Sequence, residues 1–116
     1  MKASLLVPLI VTAVFVSLVP VRAEEAKGAA WLDNYEKALA QAKAENKNIL
    51  LDFTGSDWWG WCIKMVDETL SKPEFTQYAA KNLVLVEVDF PNKKQLSEET
   101  KKQNKELKEK FGAKGY

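Results

Sequence analysis

The residues best suited to chemistry lie in one short run, Trp58-Trp59-Gly60-Trp61-Cys62, six residues beyond an acid at Asp52. A cysteine thiolate is an intrinsically good nucleophile and the group through which disulfides exchange. What Cys62 can do is bounded by what the chain lacks. It is the only cysteine in 116 residues, and there is no histidine. An internal disulfide, a Cys-rich zinc site, an imidazole metal ligand and Ser-His-Asp or Cys-His machinery are therefore all excluded. Ser56, between Gly55 and Asp57, has neither the glycine spacing nor the histidine of a nucleophile elbow. Asp57 and Asp67 make a weak glycosidase pair. A lone thiol that pairs with another chain or a small thiol is the chemistry left by composition.

The first 23 residues have the layout of a secretory leader. Lys2 supplies a positive start, residues 3–19 carry no charge, and Val21-Arg22-Ala23 precedes Glu24-Glu25 with a small residue at the cleavage position. An uncleaved anchor is the rival reading, because 17 uncharged residues approach the roughly 20 that a spanning helix needs. Pro8 and Pro20 interrupt the stretch, and no cysteine near the cleavage point suggests a lipoprotein. Removal would leave 93 residues, enough for one small domain with little stability to spare. It would also lower the basic count from 17 to 15 against 16 acidic residues. No excess of positive charge then remains to attract a phosphate backbone, so nucleic acid is not an expected partner.

The elements that position the thiol can be read in chain order. Residues 24–30 form a small polar lead-in, and the domain is expected over 31–116. Trp31, Tyr35, Ala38, Leu39 and Ala42 fall at helical spacing, with Asp33 and Glu36 resembling a capping box and an end near Asn46. Residues 49–54 are a nearly continuous apolar run, the pattern of a strand buried on both faces. Gly55-Ser56-Asp57 breaks it, and a helical stretch from the tryptophans continues to about Leu70. Ser71 as cap, Pro73 and Glu74 open a second helix with Phe75, Tyr78 and Ala79 on one face. Residues 83–89 are the second strand. After a loop over 91–95, residues 97–111 form a third main helix ended by Gly112, with Glu98/Lys102 and Glu106/Lys110 spaced to pair and Leu96, Leu107 and Phe111 as its apolar face. Helix, strand, helix, strand, helix is an α/β order with parallel strands. Two strands alone leave open edges, which leads us to expect a fold incomplete within these 116 residues.

Asp-Phe-Thr-Gly-Ser-Asp-Trp-Trp-Gly-Trp-Cys-Ile-Lys-Met over 52–65 resembles the active-site segment of the thioredoxin superfamily, a strand followed by Trp-Cys-x-x-Cys at a helix start. The closest resemblance is to secreted bacterial thioredoxin-like domains with Gly-Ser-Asp-Trp-Cys-Gly-Trp-Cys, and it extends over residues 31–116. Phe111-Gly112-Ala113-Lys114-Gly115-Tyr116 is similar to the segment that in the family directly precedes the cis-proline of the substrate groove. The resemblance implies a thioredoxin-like α/β fold, central parallel strands flanked by helices, with the C-terminal hairpin and last helix lying beyond Tyr116.

One position departs from the motif. Trp59 stands where the family has its first cysteine, and only the second is kept, as Cys62. The first thiol sits at a helix N-terminus, where backbone dipoles favour the thiolate that attacks a substrate disulfide. The second, buried one turn deeper, resolves the mixed disulfide. Complete dithiol turnover is therefore not expected. A cysteine codon becomes a tryptophan codon by one base change. By resemblance Asp52 is the buried acid beneath Cys62, desolvated on the strand face it shares with Leu50; the alternative is an edge acid that finds solvent. Trp58 matches the aromatic that shields the motif, or is ordinary core. Trp58, Trp59, Gly60 and Trp61, with Tyr116, are the candidate polypeptide-binding surface, against the alternative of core filling. Lys64 is expected on the exposed helix face.

Three functions follow: a thiol–disulfide oxidoreductase family member with dithiol catalysis lost or impaired, a non-catalytic polypeptide-binding module, and a single-cysteine redox sensor. The implied partners are polypeptide substrates or thiol proteins, with membrane contact only during export and a Cys62-linked dimer as a further possibility. No cofactor is implied. The leader reading predicts a periplasmic or secreted product cleaved after Ala23. Mass measurement of the protein from its native host should show Glu24 as the first residue, and a membrane-bound product beginning at Met1 would contradict it.

Overall fold

Val84, Val86 and Val88 alternate along one strand and are almost completely buried, which makes that strand the axis of the domain. In a computed structural model, which describes residues 29–116, it is β3 (Leu83–Asp89). Two parallel neighbours flank it in the order β1-β3-β2, with β1 at Trp31–Leu32 and β2 at Asn48–Thr54. Helices α1 (Tyr35–Glu45), α2 (Gly60–Met65), α3 (Pro73–Asn82) and α4 (Glu98–Lys110) complete the α/β arrangement, and Val66–Leu70 continues α2 as one π-helical turn. Among the described residues no helix is long and apolar enough to cross a membrane. The leader over 1–23, and the lead-in as far as residue 28, lie outside the described residues.

Side chains of a strand point alternately to opposite faces, so the register decides what meets what. On one face Val84, Val86 and Val88 pack with Ala38 and Ala42 of α1 and Leu107 of α4, and Leu32, Ile49, Leu51 and Phe53 are partly buried against them. The two alanines, four residues apart, let α1 lie close over β3. The opposite face carries Leu85 beside Leu50, Glu87 beside Asp52 and Asp89 beside Thr54. Helix α3 packs toward β3 and buries Ala79, while Trp31 stacks on Phe75 at 6.4 Å.

Several local expectations are corrected. Trp31 is not helical: Trp31–Leu32 is a third strand, too short to show a period of two, and Trp31's four-residue spacing from Tyr35 imitates a helix turn. The cap of α1 is Asn34 rather than Asp33, its side chain accepting from the Lys37 amide at 2.9 Å. Strand β2 is only half-buried along most of its length, because among the described residues it has one neighbour; β3 is the strand covered on both faces. Ser71 does not cap α3, since its helical backbone ends the preceding π turn and its hydroxyl donates to the Asp67 carbonyl; Lys72 is the cap residue, with Pro73 first in the helix. On α4 the ion pairs formed are Glu98–Lys101 and Lys102–Glu106, not the two expected, because Lys110 lies over the Tyr35 and Phe111 rings instead. Phe111 is half-exposed, edge-on to Tyr35 at 6.2 Å.

What holds α4 in place is polar as well as apolar. Gln103 accepts from the Tyr35 amide and donates to the Asp33 carbonyl, both at 2.9 Å, and so ties α4 to the start of α1. Next to it Asn104 is 1% exposed; its Nδ2 donates to the Asp89 carbonyl at 2.9 Å while its Oδ1 accepts from Gln103 at 3.0 Å. Replacing Asn104 with leucine leaves the Asp89 carbonyl buried without that donor. The expected loss is about 1–3 kcal/mol of unfolding free energy, read as a lower urea midpoint at unchanged slope. An unchanged midpoint would show that water reaches that carbonyl.

Candidate functional site

The segment between β2 and α2 presents the motif, and it is held almost entirely by the end of β3 and the segment that follows it. The Phe90 amide donates to the Thr54 carbonyl at 2.8 Å. Ser56 donates through both its amide and its hydroxyl to the Asp89 carboxylate. Asp57 accepts from three successive amides, Asn92, Lys93 and Lys94, at 2.7–2.9 Å. Those bonds favour its charged form and hold its carboxyl below the usual range. Ser56 and Asp57 are thus structural clips; Asp67, the other half of the weak pair, is exposed in the π turn.

Trp58 is seated against this clip. Its indole Nε1 donates to the Phe90 carbonyl at 2.8 Å, and its ring lies so close to Gly55 that a Cβ there would come within 2.6 Å. A glycine is required at residue 55 for that approach. Tyr116 meets the Trp58 ring edge-on at 5.6 Å and lies 5.4 Å from Phe90, with its hydroxyl accepting from Lys108 at 2.9 Å. The structure therefore brings Trp58, Trp59 and Tyr116 together: the Trp58 and Trp59 rings are 5.7 Å apart. Trp61 stands apart, 67% exposed with Lys64 over its ring at 5.3 Å. Neither Trp59 nor Trp61 is core filling; both are exposed.

Trp59 is the N-cap residue of α2, in extended backbone, and its side chain makes no capping bond. Its carbonyl accepts from the Cys62 and Ile63 amides, while Gly60, the first residue of the helix, has open space where a Cβ would be. One turn on, Cys62 is half-buried rather than fully enclosed. It lines a cavity of about 270 Å³ together with Asp52, Thr54, Glu87, Val66 and Leu70. Cys62 and Asp52 are thus brought to one space from different elements.

The electrostatics of that space are set by the sheet. Burial raises the Asp52 carboxyl above its ordinary range, and the Asp89 charge adds to the effect. Glu87, the register partner of Asp52, is raised for the same reasons, burial first and Asp89 second, with Lys94 opposing. Sequence reasoning missed Glu87. The available signal was an acid inside the otherwise apolar run 83–88, on the same strand face as Leu85. Among the described residues no group of three Cys, Asp or Glu side chains is placed to hold a metal ion.

Comparison with known proteins accords with this geometry. A family model described as thioredoxin-like matches residues 30–111. The chain is 45% identical over 84 residues to disulfide bond reductase DsbH of Chlamydia pneumoniae, covering 72% of this chain and 51% of that protein. It is 37% identical over 81 residues to thioredoxin-related protein DsbJ of the same organism, covering 70% and 23%. A solved structure of a DsbH oxidoreductase superposes with a TM-score of 0.73 at 42% identity, over 85% of this chain and 68% of that one. The chain spans about half the length of DsbH and under a quarter of DsbJ. With a parallel sheet in the order β1-β3-β2, a motif helix opening after β2 and a matching family model over most of its length, the chain belongs to the thioredoxin-like family.

Proposed function

We propose that this is an extracytoplasmic domain of the thiol–disulfide oxidoreductase kind, exported by residues 1–23, in which residues 31–116 form the domain and dithiol turnover is lost. The observation that carries the reading is Trp59 at the N-cap of α2, the position favourable to a thiolate, one turn before the half-buried Cys62. The names of DsbH and DsbJ support a redox role among thiol-bearing polypeptides. Cys62 would act singly: its proton passes to Asp52, its sulfur attacks a partner disulfide, one S–S bond forms as another breaks, and the partner's second sulfur leaves as thiolate. No second thiol in the chain can resolve the product, so release needs an external thiol. A Cys62-linked dimer belongs to the same chemistry.

A polypeptide-binding role without catalysis is the second reading, favoured by the exposure of Trp58, Trp59 and Trp61 in one run. Tyr116, packed on Trp58, would extend that surface beside Gly60, where open space lets a bound backbone approach.

Two measurements test the site. The purified protein should reduce the disulfides of insulin no faster than Cys62→Ser, whereas Trp59→Cys should be about tenfold faster or more, because a thiol at the helix start attacks and Cys62 resolves. Turnover by the unaltered protein equal to that of Trp59→Cys would overturn the reading. The second concerns Asp52. Its folded-state pKa lies above the unfolded one, so its protonated form favours folding; that contribution is full below about pH 4 and is lost as pH rises through the raised folded value. Asp52→Asn should therefore unfold at a higher denaturant midpoint at pH 7, the advantage vanishing in acid. Equal midpoints at pH 7 would mean that Asp52 finds full solvation.

A further inference from the structure

The cavity behind Cys62 holds a second carboxylate to which neither the motif nor the mechanism above gives a role. Glu87 lines the same 270 Å³ space as Cys62 and Asp52. It is the register partner of Asp52 on the neighbouring parallel strand, so the two side chains leave the sheet on one face, side by side. An acid is costly on a half-buried face of a central strand whose other residues, apart from the terminal Asp89, are Leu83, Val84, Leu85, Val86 and Val88. No ion pair from another side chain reaches it among the described residues. Its neighbour Asp89 is different, being held by both donors of Ser56.

We propose that Glu87 is a positioning residue for the Cys62 thiol, forming with Asp52 a two-carboxylate station that shares one proton and receives the one Cys62 gives up. The inference rests on the single-thiol reading given above. Two carboxyls side by side in a half-buried space do not both ionise easily, so they titrate as a pair. In the exchange step the Cys62 S–H proton moves to the ionised member, the sulfur bonds to one sulfur of a partner disulfide, and the other departs with the electron pair of the broken bond. No external oxidant or reductant enters. The charged groups that act on Glu87 are Asp89 on its own strand, Asp52 on β2, Asp33 before α1 and Lys94 in the loop after β3, while Glu74 and Lys81 of α3 are exposed. The balance of these groups around Glu87 is negative.

The test is the pH dependence of iodoacetamide alkylation at Cys62 in the folded protein, with circular dichroism confirming the fold of each variant. Glu87→Gln, of the same shape, removes one negative charge beside the thiol. It should move the rate profile to lower pH and raise the rate at pH 7 about three- to tenfold. Asp52→Asn should act in the same direction, and the double variant should gain less than the product of the two single effects, because the pair shares a proton. Glu87→Ala serves if the glutamine variant folds poorly. A Glu87→Gln profile superimposed on the parent's, with Asp52→Asn shifted, would overturn the role of Glu87 and leave the site intact. If neither variant shifts the profile and Cys62 in the parent reacts as fast as in the denatured chain, the site reading itself falls.

Discussion

The in-register pairing of β2 with β3 is the constraint on which the rest depends. Seven successive residue pairs, from Asn48 with Leu83 to Thr54 with Asp89, align the strands in parallel. Shifting that register by one residue would turn Asp52 toward the valine core and carry Phe53 to the cavity side. With the register as it is, the valines of β3 face α1 and α4, and every polar residue of the two strands that matters to the site faces the motif helix. Hydrophobic burial on one face thus fixes acid placement on the other.

That division has an energetic consequence. The valine face is the kind of burial that stabilises, with three side chains near zero exposure against two alanines and Leu107. The other face places three carboxylates, Asp52, Glu87 and Asp89, near one another, and only Asp89 has side-chain and backbone donors of its own. Half-buried acids without such donors destabilise a fold. A small domain carrying two of them concentrates strain at the place where its one thiol lies. Strained charges of this sort are a frequent mark of functional sites.

Much of the domain was legible because its signals are local. The apolar run of β3, the helix-opening Ser97, the stop at Gly112 and the motif around Cys62 each declare themselves within a few residues. What escaped was set by partners distant in the chain. Trp31–Leu32 becomes a strand only because Leu85 and Val86 lie beside it. Asn104 and Gln103 read as solvated helix residues until α4 is laid against Asp89 and Tyr35. Glu87 reads as an interruption in an apolar strand until β2 supplies Asp52 as its neighbour. At the site itself, the departure at Trp59 was visible from residue types, whereas the seating of Trp58 on Gly55 and the Phe90 carbonyl required three dimensions.

The clip made by Asp57 and the amides of residues 92–94 also bears on how the chain reaches this state. Its three hydrogen bonds, and those of Ser56 with Asp89 and of Trp58 with Phe90, all join residues 32–37 positions apart. None can form before the chain has passed through α2, α3 and β3 and returned, so each carries the entropy of closing a long loop. Helix contacts four residues apart form without that cost. The motif turn is therefore a late acquisition in folding: its shape is inherited from a sheet already assembled, and a nascent chain that has not yet emerged to Lys94 holds its thiol on an unformed turn.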